Sequence, residues 1–333
     1  MMTARRIVIF ATTFTAAGAA CSPAAAQVPP SYGLDFVTVG APGNAAYAGG
    51  PTGQMAGRGS VGYEYRIMRT EITNQNWIEF CNAYGPHYNG SPTSVFLTGG
   101  GVGAYYNTGG QVVYWTSPSL GQAPASPTWR MAARYANWLT NGKVNEAWAF
   151  ESGAYDASTF TPNPQGGFND QRVHTPGATF WLPSLDEWIK ATYYDPNRYG
   201  PASGGWWTYP DQSDDPLVIG LPGEGGETNA SLGWMNEKGP LQVGLYPWSA
   251  SPWGMLDASG GLREMAEGLY WPLMGSSLDS VDILVPIEDR IGYSVIYSPE
   301  EFSNGFRLVS VVPNGPVWPI VMALAVALRW WSR

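Results

Sequence analysis

Residues that build metal and redox centres are scarce in this chain. It has two histidines, His87 and His174, and two cysteines, Cys21 and Cys81, among 333 residues. A three-histidine iron site is excluded on number alone. A facial triad of two histidines and one carboxylate would need both imidazoles, yet each lies in a polar stretch with no partner near it in sequence. Only Cys81 remains once an amino-terminal leader is removed, so no intramolecular disulfide or dithiol chemistry is open to the body. Charge is also sparse. Charged residues are 13% of the chain, the net charge is -9, and no Lys/Arg cluster occurs in the body, which argues against a nucleic-acid surface. There is no Gly-x-Ser-x-Gly elbow with a following histidine, no phosphate loop and no dinucleotide fingerprint.

What the chain has in quantity is glycine (42), proline (28) and aromatic residues (14%, with 16 tryptophans). Disorder goes with few aromatics, so this composition points to a loop-rich globule whose coils are pinned by buried rings. The clearest local signal is residues 178–194. Phe180, Trp181 and Leu182 are stopped by Pro183, and Ser184 stands three residues before Glu187, a capping box opening a helix whose buried stripe is Leu185, Trp188, Ile189 and Thr192. Thr73 is expected to cap a helix running to Tyr84 with Trp77, Phe80, Cys81 and Tyr84 on one face, making Cys81 a buried apolar residue. Pro127 and Thr128 open another, with Trp129, Ala132, Ala133, Ala136 and Leu139 inward, ended by Asn141-Gly142. Strands are expected at Tyr32–Val39, Tyr63–Ile67, Leu241–Gly244 and Asn304–Val309, with one hairpin in the loop from Asn89 to Gly121. The acids of Asp211–Asp215 read as a solvated turn, because their spacing does not match a calcium loop. Glu264 and Glu267 would lie near one another if their segment were helical.

Both ends carry targeting character. Arg5 and Arg6 precede an apolar stretch from Ile7 to Ala20, and Ala24–Ala26 supplies small residues for cleavage, so residues 1–26 read as a signal peptide. A twin-arginine signal and lipidation at Cys21 stay open as refinements. Residues 312–333 hold a Val-Pro-Asn-Gly turn, an apolar segment and terminal arginines. At twelve largely apolar residues the segment is short for a bilayer span. It reads as a sorting or anchoring tail, with an amphipathic end helix as the alternative.

Several blocks in order resemble one family. Tyr65–Asn74, Asn137-Trp138-Leu139, Trp181–Trp188, Asn229-Ala230, Val243-Gly244, Pro252–Asp257 and Gly305-Phe306-Arg307 are similar to successive blocks of the formylglycine-generating enzyme (sulfatase-modifying factor) domain. The resemblance places such a domain at residues 31–310. It implies an α+β, coil-rich, C-type-lectin-related fold with two main helices and small twisted antiparallel sheets. The family's oxidase activity needs two cysteines late in the domain. Leu308 stands where one of them would follow Gly305-Phe306-Arg307, and no cysteine occurs after Cys81. The resemblance also implies structural calcium. Asn229 and Ala230 match the oxygen donors of one ion, and Gly260 and Glu264 keep part of a second set in which Gly261 replaces an asparagine. No catalytic or cofactor residues are assigned, and no cofactor beyond structural calcium is expected. The expected function is a non-catalytic extracytoplasmic binding or surface domain with an extracellular protein or glycan as partner, no nucleic acid, and a tail in contact with membrane or sorting machinery. The alternative is a divergent metal-dependent oxidoreductase or peptide-modifying enzyme of the same family.

Overall fold

The computed structural model describes residues 29–233, 242–269, 271–277, 286–288, 293–295, 298–301 and 303–312. The expected signal peptide, residues 1–26, lies outside the described residues, as do Leu241 and all but the first residue of the expected tail, 312–333. In chain order the strands are β1 (Phe36–Val39), β2 (Tyr65–Met68), β3 (Gly103–Tyr106), β4 (Val112–Trp115), β5 (Phe180–Trp181), β6 (Tyr194–Asp195), β7 (Gly205–Trp206), β8 (Glu264–Met265), β9 (Pro272–Met274), β10 (Tyr293–Val295) and β11 (Val309–Val311). The helices are α1 (Asn74–Tyr84), α2 (Val95–Thr98), α3 (Trp129–Thr140), α4 (Ala147–Glu151) and α5 (Leu185–Tyr193). The architecture is α+β with few helices and small antiparallel sheets, among them a four-stranded sheet ordered β1-β2-β11-β5 and a three-stranded sheet ordered β10-β9-β8. Among the described residues three helices have nine or more residues, where the resemblance implies two main ones; α5 is the shortest of the three and is buried along most of its length.

Each long helix starts where its cap dictates. The Thr73 hydroxyl accepts from Asn76 N in a capping box, the Thr128 hydroxyl accepts from Met131 N, and Ser184 and Glu187 satisfy each other's amides. The expected inward faces are inward. Trp77 stacks on Tyr135 at 5.6 Å and meets Phe306 edge-on at 5.7 Å, so α1, α3 and the segment before β11 share one aromatic core. Cys81 is fully buried in it, and burial pushes its thiol up from the ordinary cysteine range.

Strand boundaries differ from expectation for local reasons. β1 begins only at Phe36, because Tyr32 (φ 53°) and Gly33 (φ 81°) form a turn in the left-handed region. β2 is shifted to Tyr65–Met68. Val243 and Gly244 lie in a turn rather than a strand, with their amides held by Gln122 O and the Asp257 carboxylate. Regular pairing at the last strand starts at Val309. Before it, Phe306 and Leu308 accept singly from Ile72 N and Met68 N. The segment with Glu264 and Glu267 is not helical. Glu264 belongs to β8, and Glu267 forms a bridge with Ser184. The expected hairpin is β3–β4. Asp214 of the acidic turn is tied to Arg198 and to the Thr208 hydroxyl at 2.8 Å. Among the described residues no helix is long and apolar enough to cross a membrane.

The cap at Ser184 can be tested in isolation. Ser184→Ala is expected to lower stability by about 1 kcal/mol, read as a shift in denaturant midpoint with an unchanged slope. No shift would mean that packing alone sets the start of α5.

Candidate functional site

Two places in the described structure gather polar chemistry. The first is a buried acid cluster around Arg307. This arginine has no exposed surface, and its guanidinium binds both oxygens of buried Glu264 at 2.5 and 2.6 Å. Its remaining hydrogens go to the carbonyls of Met68, Arg69 and Leu256 at 2.9–3.0 Å. Glu71 lies alongside, 1% exposed, with Oε1 facing Leu262 N at 3.4 Å and Oε2 without a hydrogen-bond partner among the protein groups. Burial, reinforced by Asp257 and Glu264, pushes Glu71 well above the ordinary carboxylate range. Burial likewise pushes Asp257 up to about 6, opposed by its bond from Gly244 N and by Arg307. Burial and the neighbouring carboxylates thus both favour the protonated form of Glu71.

The four residues expected to hold calcium are brought into this neighbourhood. The Asn229 side-chain oxygen accepts from Gly261 N at 2.8 Å, Gly260 N donates to Ser276 Oγ, and Ala230 N donates to Thr228 Oγ1. Gly260 has φ 95°, and a Cβ there would sit 2.0 Å from that asparagine oxygen. At Gly261 a Cβ would sit 2.9 Å from Glu71 Oε1, so the glycine at this position makes room for Glu71. Asn229 with Ala230, expected at one calcium ion, and Gly260 with Glu264, expected at a second, use their side-chain oxygens within the protein. Their single carboxylate is neutralised by Arg307, and the asparagine oxygen serves a backbone amide. Among the described residues no group of three or more His, Cys, Asp or Glu side chains is arranged to hold a metal.

The two histidines have separate neighbours. His87 packs on Phe150 with ring centroids 5.6 Å apart. His174 stacks on Trp181 at 4.4 Å, and its Nδ1 lies 3.0 Å from the Glu267 carboxylate. Burial lowers the His174 pKa, but the Glu267 bond outweighs it and leaves the ring above the ordinary histidine value. Glu267 also accepts from the Tyr155 hydroxyl at 2.6 Å. The opening-cap carboxylate, Glu187, is held by the Ser184 amide and the Tyr63 hydroxyl.

The second place is a cavity of about 270 Å³ between α1, α2 and α3, just below the usual size range of small-ligand pockets. Its walls include Tyr84, Tyr88, Phe96 and Phe160, with Arg130 and Arg134 on its floor. Both guanidiniums lie over the Phe160 ring, 5.8 and 5.1 Å from its centroid. Arg134 is held by both oxygens of Glu151 at 2.9 Å. Sequence reading passed over these residues. The available signal was two arginines four apart on α3, hence on one face, beside the alanine stripe that faces the core.

No family model matches the chain, and no curated protein matches it. Among solved structures, CarF aligns at 18% identity and TM-score 0.49 over 86% of this chain and all of that one. Treponema denticola variable protein 1 aligns at 15% identity and TM-score 0.51 over 83% of this chain and 95% of that one. Identities this low establish likeness of fold and nothing of activity or ligand.

Two measurements check the acid cluster. Arg307→Met is expected to cost about 3–5 kcal/mol, because it strands buried Glu264; the double variant with Glu264→Gln should recover part of that loss. The raised Asp257 and Glu71 values mean that the folded state holds protons the unfolded chain has released. Their contribution is therefore fully present below the ordinary carboxylate range and declines as pH rises through it toward about 6 for Asp257. Asp257→Asn should flatten that decline in melting temperature relative to the parent. An unchanged pH profile would remove Asp257 from the account.

Proposed function

We propose that the body, residues 31–310, is a divergent member of the formylglycine-generating enzyme (sulfatase-modifying factor) scaffold that acts outside the cytoplasm as a non-catalytic binding domain. Export through residues 1–26 and retention or sorting through residues 312–333 belong to the same proposal. The ordered sequence blocks support the scaffold, and the fold likeness to Treponema denticola variable protein 1 agrees with it without reaching the family. The observation that carries the binding reading is the cavity beside α3. It combines aromatic walls with fixed hydrogen-bond donors, the composition of a recognition site, and neither histidine nor cysteine lines it.

The alternative, a divergent enzyme, has one observation in its favour. His174, Glu267 and Tyr155 form a hydrogen-bonded series with the imidazole polarised as a base would be. No serine, threonine or cysteine hydroxyl or thiol is bonded to that imidazole among the described residues.

Metal analysis and ligand arrays separate the two. The full chain recovered after export should carry neither stoichiometric iron nor copper, and it should bind a component of a glycan or peptide array. Phe96 is a cavity residue with 45% exposure, so Phe96→Ala should abolish that binding without lowering the melting temperature. Stoichiometric redox metal, or binding untouched by the substitution, would overturn the proposal.

A further inference from the structure

The two arginines of the cavity are neutralised very differently. Arg130 is 8% exposed and is gripped by Asp170 through two nitrogens, at 2.6 and 2.9 Å. The Asp170 side chain has no exposed surface. Two parallel bonds to a buried carboxylate make a permanent pair. The third nitrogen, Nη1, points the other way, into the cavity, and is met by one oxygen of Glu300. The Glu300 side chain is 53% exposed. Its backbone is anchored independently, since Pro299 O accepts from Arg130 N and the Glu300 amide donates to Ser298 Oγ. The carboxylate can thus swing into water by side-chain rotation alone, leaving the backbone in place. A half-exposed ion pair of this kind contributes little to stability.

We propose that the cavity binds a carboxylate-bearing pyranose, an acidic sugar such as a hexuronic acid, whose carboxylate replaces Glu300 on Arg130 Nη1. The inference rests on the binding-domain reading and names the ligand class of that same cavity. Three observations specify the class. A guanidinium nitrogen in an aromatic-walled cavity is already occupied by a carboxylate, so the chain itself displays the group that the position accepts. Tyr88 and Phe96, both in the lining, supply the aromatic surface on which the C–H face of a sugar ring packs, and Asn89 beside them supplies an amide for hydroxyls. The cavity, about 270 Å³, holds one ring rather than an extended chain. Glu300 then acts as an internal competitor. It keeps the arginine neutralised when the cavity is empty, and its own repulsion and occupancy weaken the acidic ligand.

The test uses the full chain with D-glucuronate, its methyl ester and D-glucose as probes, followed by calorimetry or ligand-observed NMR. Glucuronate should bind more tightly than the ester or glucose. Glu300→Gln should strengthen glucuronate binding by about tenfold, as expected for release of one charge-assisted bond, while leaving the neutral probes unchanged. Arg130→Lys with Asp170 intact should erase the preference for the acid. Equal binding of acid and ester, or no gain in Glu300→Gln, overturns the acidic-sugar assignment while leaving a binding domain standing. If no sugar binds and array binding is also absent, the binding-domain reading itself fails.

Discussion

One buried cation organises the centre of this protein. Arg307 joins the end of β2, through the Met68 and Arg69 carbonyls, to the distant segment that leads into β8, through the Leu256 carbonyl and the Glu264 carboxylate. An unpaired guanidinium at zero exposure would be untenable, and so would Glu264 without it. Each makes the other possible. Glu71 and Asp257 share the same small volume, and one positive charge cannot neutralise three carboxylates. Burial first, and the neighbouring carboxylates second, raise Asp257 and Glu71. The glycine pair at 260 and 261 follows from this crowding, since side chains there would run into Asn229 and Glu71. The region that resembles a calcium site by sequence thus sets an internal cation against the Glu264 carboxylate.

The cavity beside α3 obeys the opposite rule. There two guanidiniums are lined up on one helix face and share an aromatic ring, and their counterions come from loops at the surface as well as from the core. Asp170 and Glu151 grip with both oxygens, whereas Glu300 grips with one from a half-exposed position. Charge at the centre serves cohesion. Charge at the cavity remains available for exchange.

Local structure was legible where the chain writes it locally. Thr73, Thr128 and Ser184 each announce a helix by a hydroxyl placed one residue ahead of an apolar stripe, and the burial of Trp77, Cys81 and Trp188 follows from period alone. Strand limits were less legible, because Tyr32 is turned by a positive φ and the residues before Val309 pair singly around the Arg307 side chain. The polar sites were least legible. The partner of Glu264 lies 43 residues away and that of Arg130 lies 40 or 170 residues away, distances over which no periodicity survives. Ordered sequence blocks picked out Asn229 and Arg307 separately, but not the pairing of Arg307 with Glu264.

The position of β11 has a further consequence. This strand, formed by the last well-described segment, lies inside its sheet, with Val309 opposite Ile67 on one side and Trp181 on the other. Until it arrives, β2 and β5 each present an open edge toward an empty slot, and the aromatic core lacks Phe306. Closure of the main sheet therefore waits for nearly the whole body to be synthesised, and it requires contacts of very long sequence separation, which are slow to form.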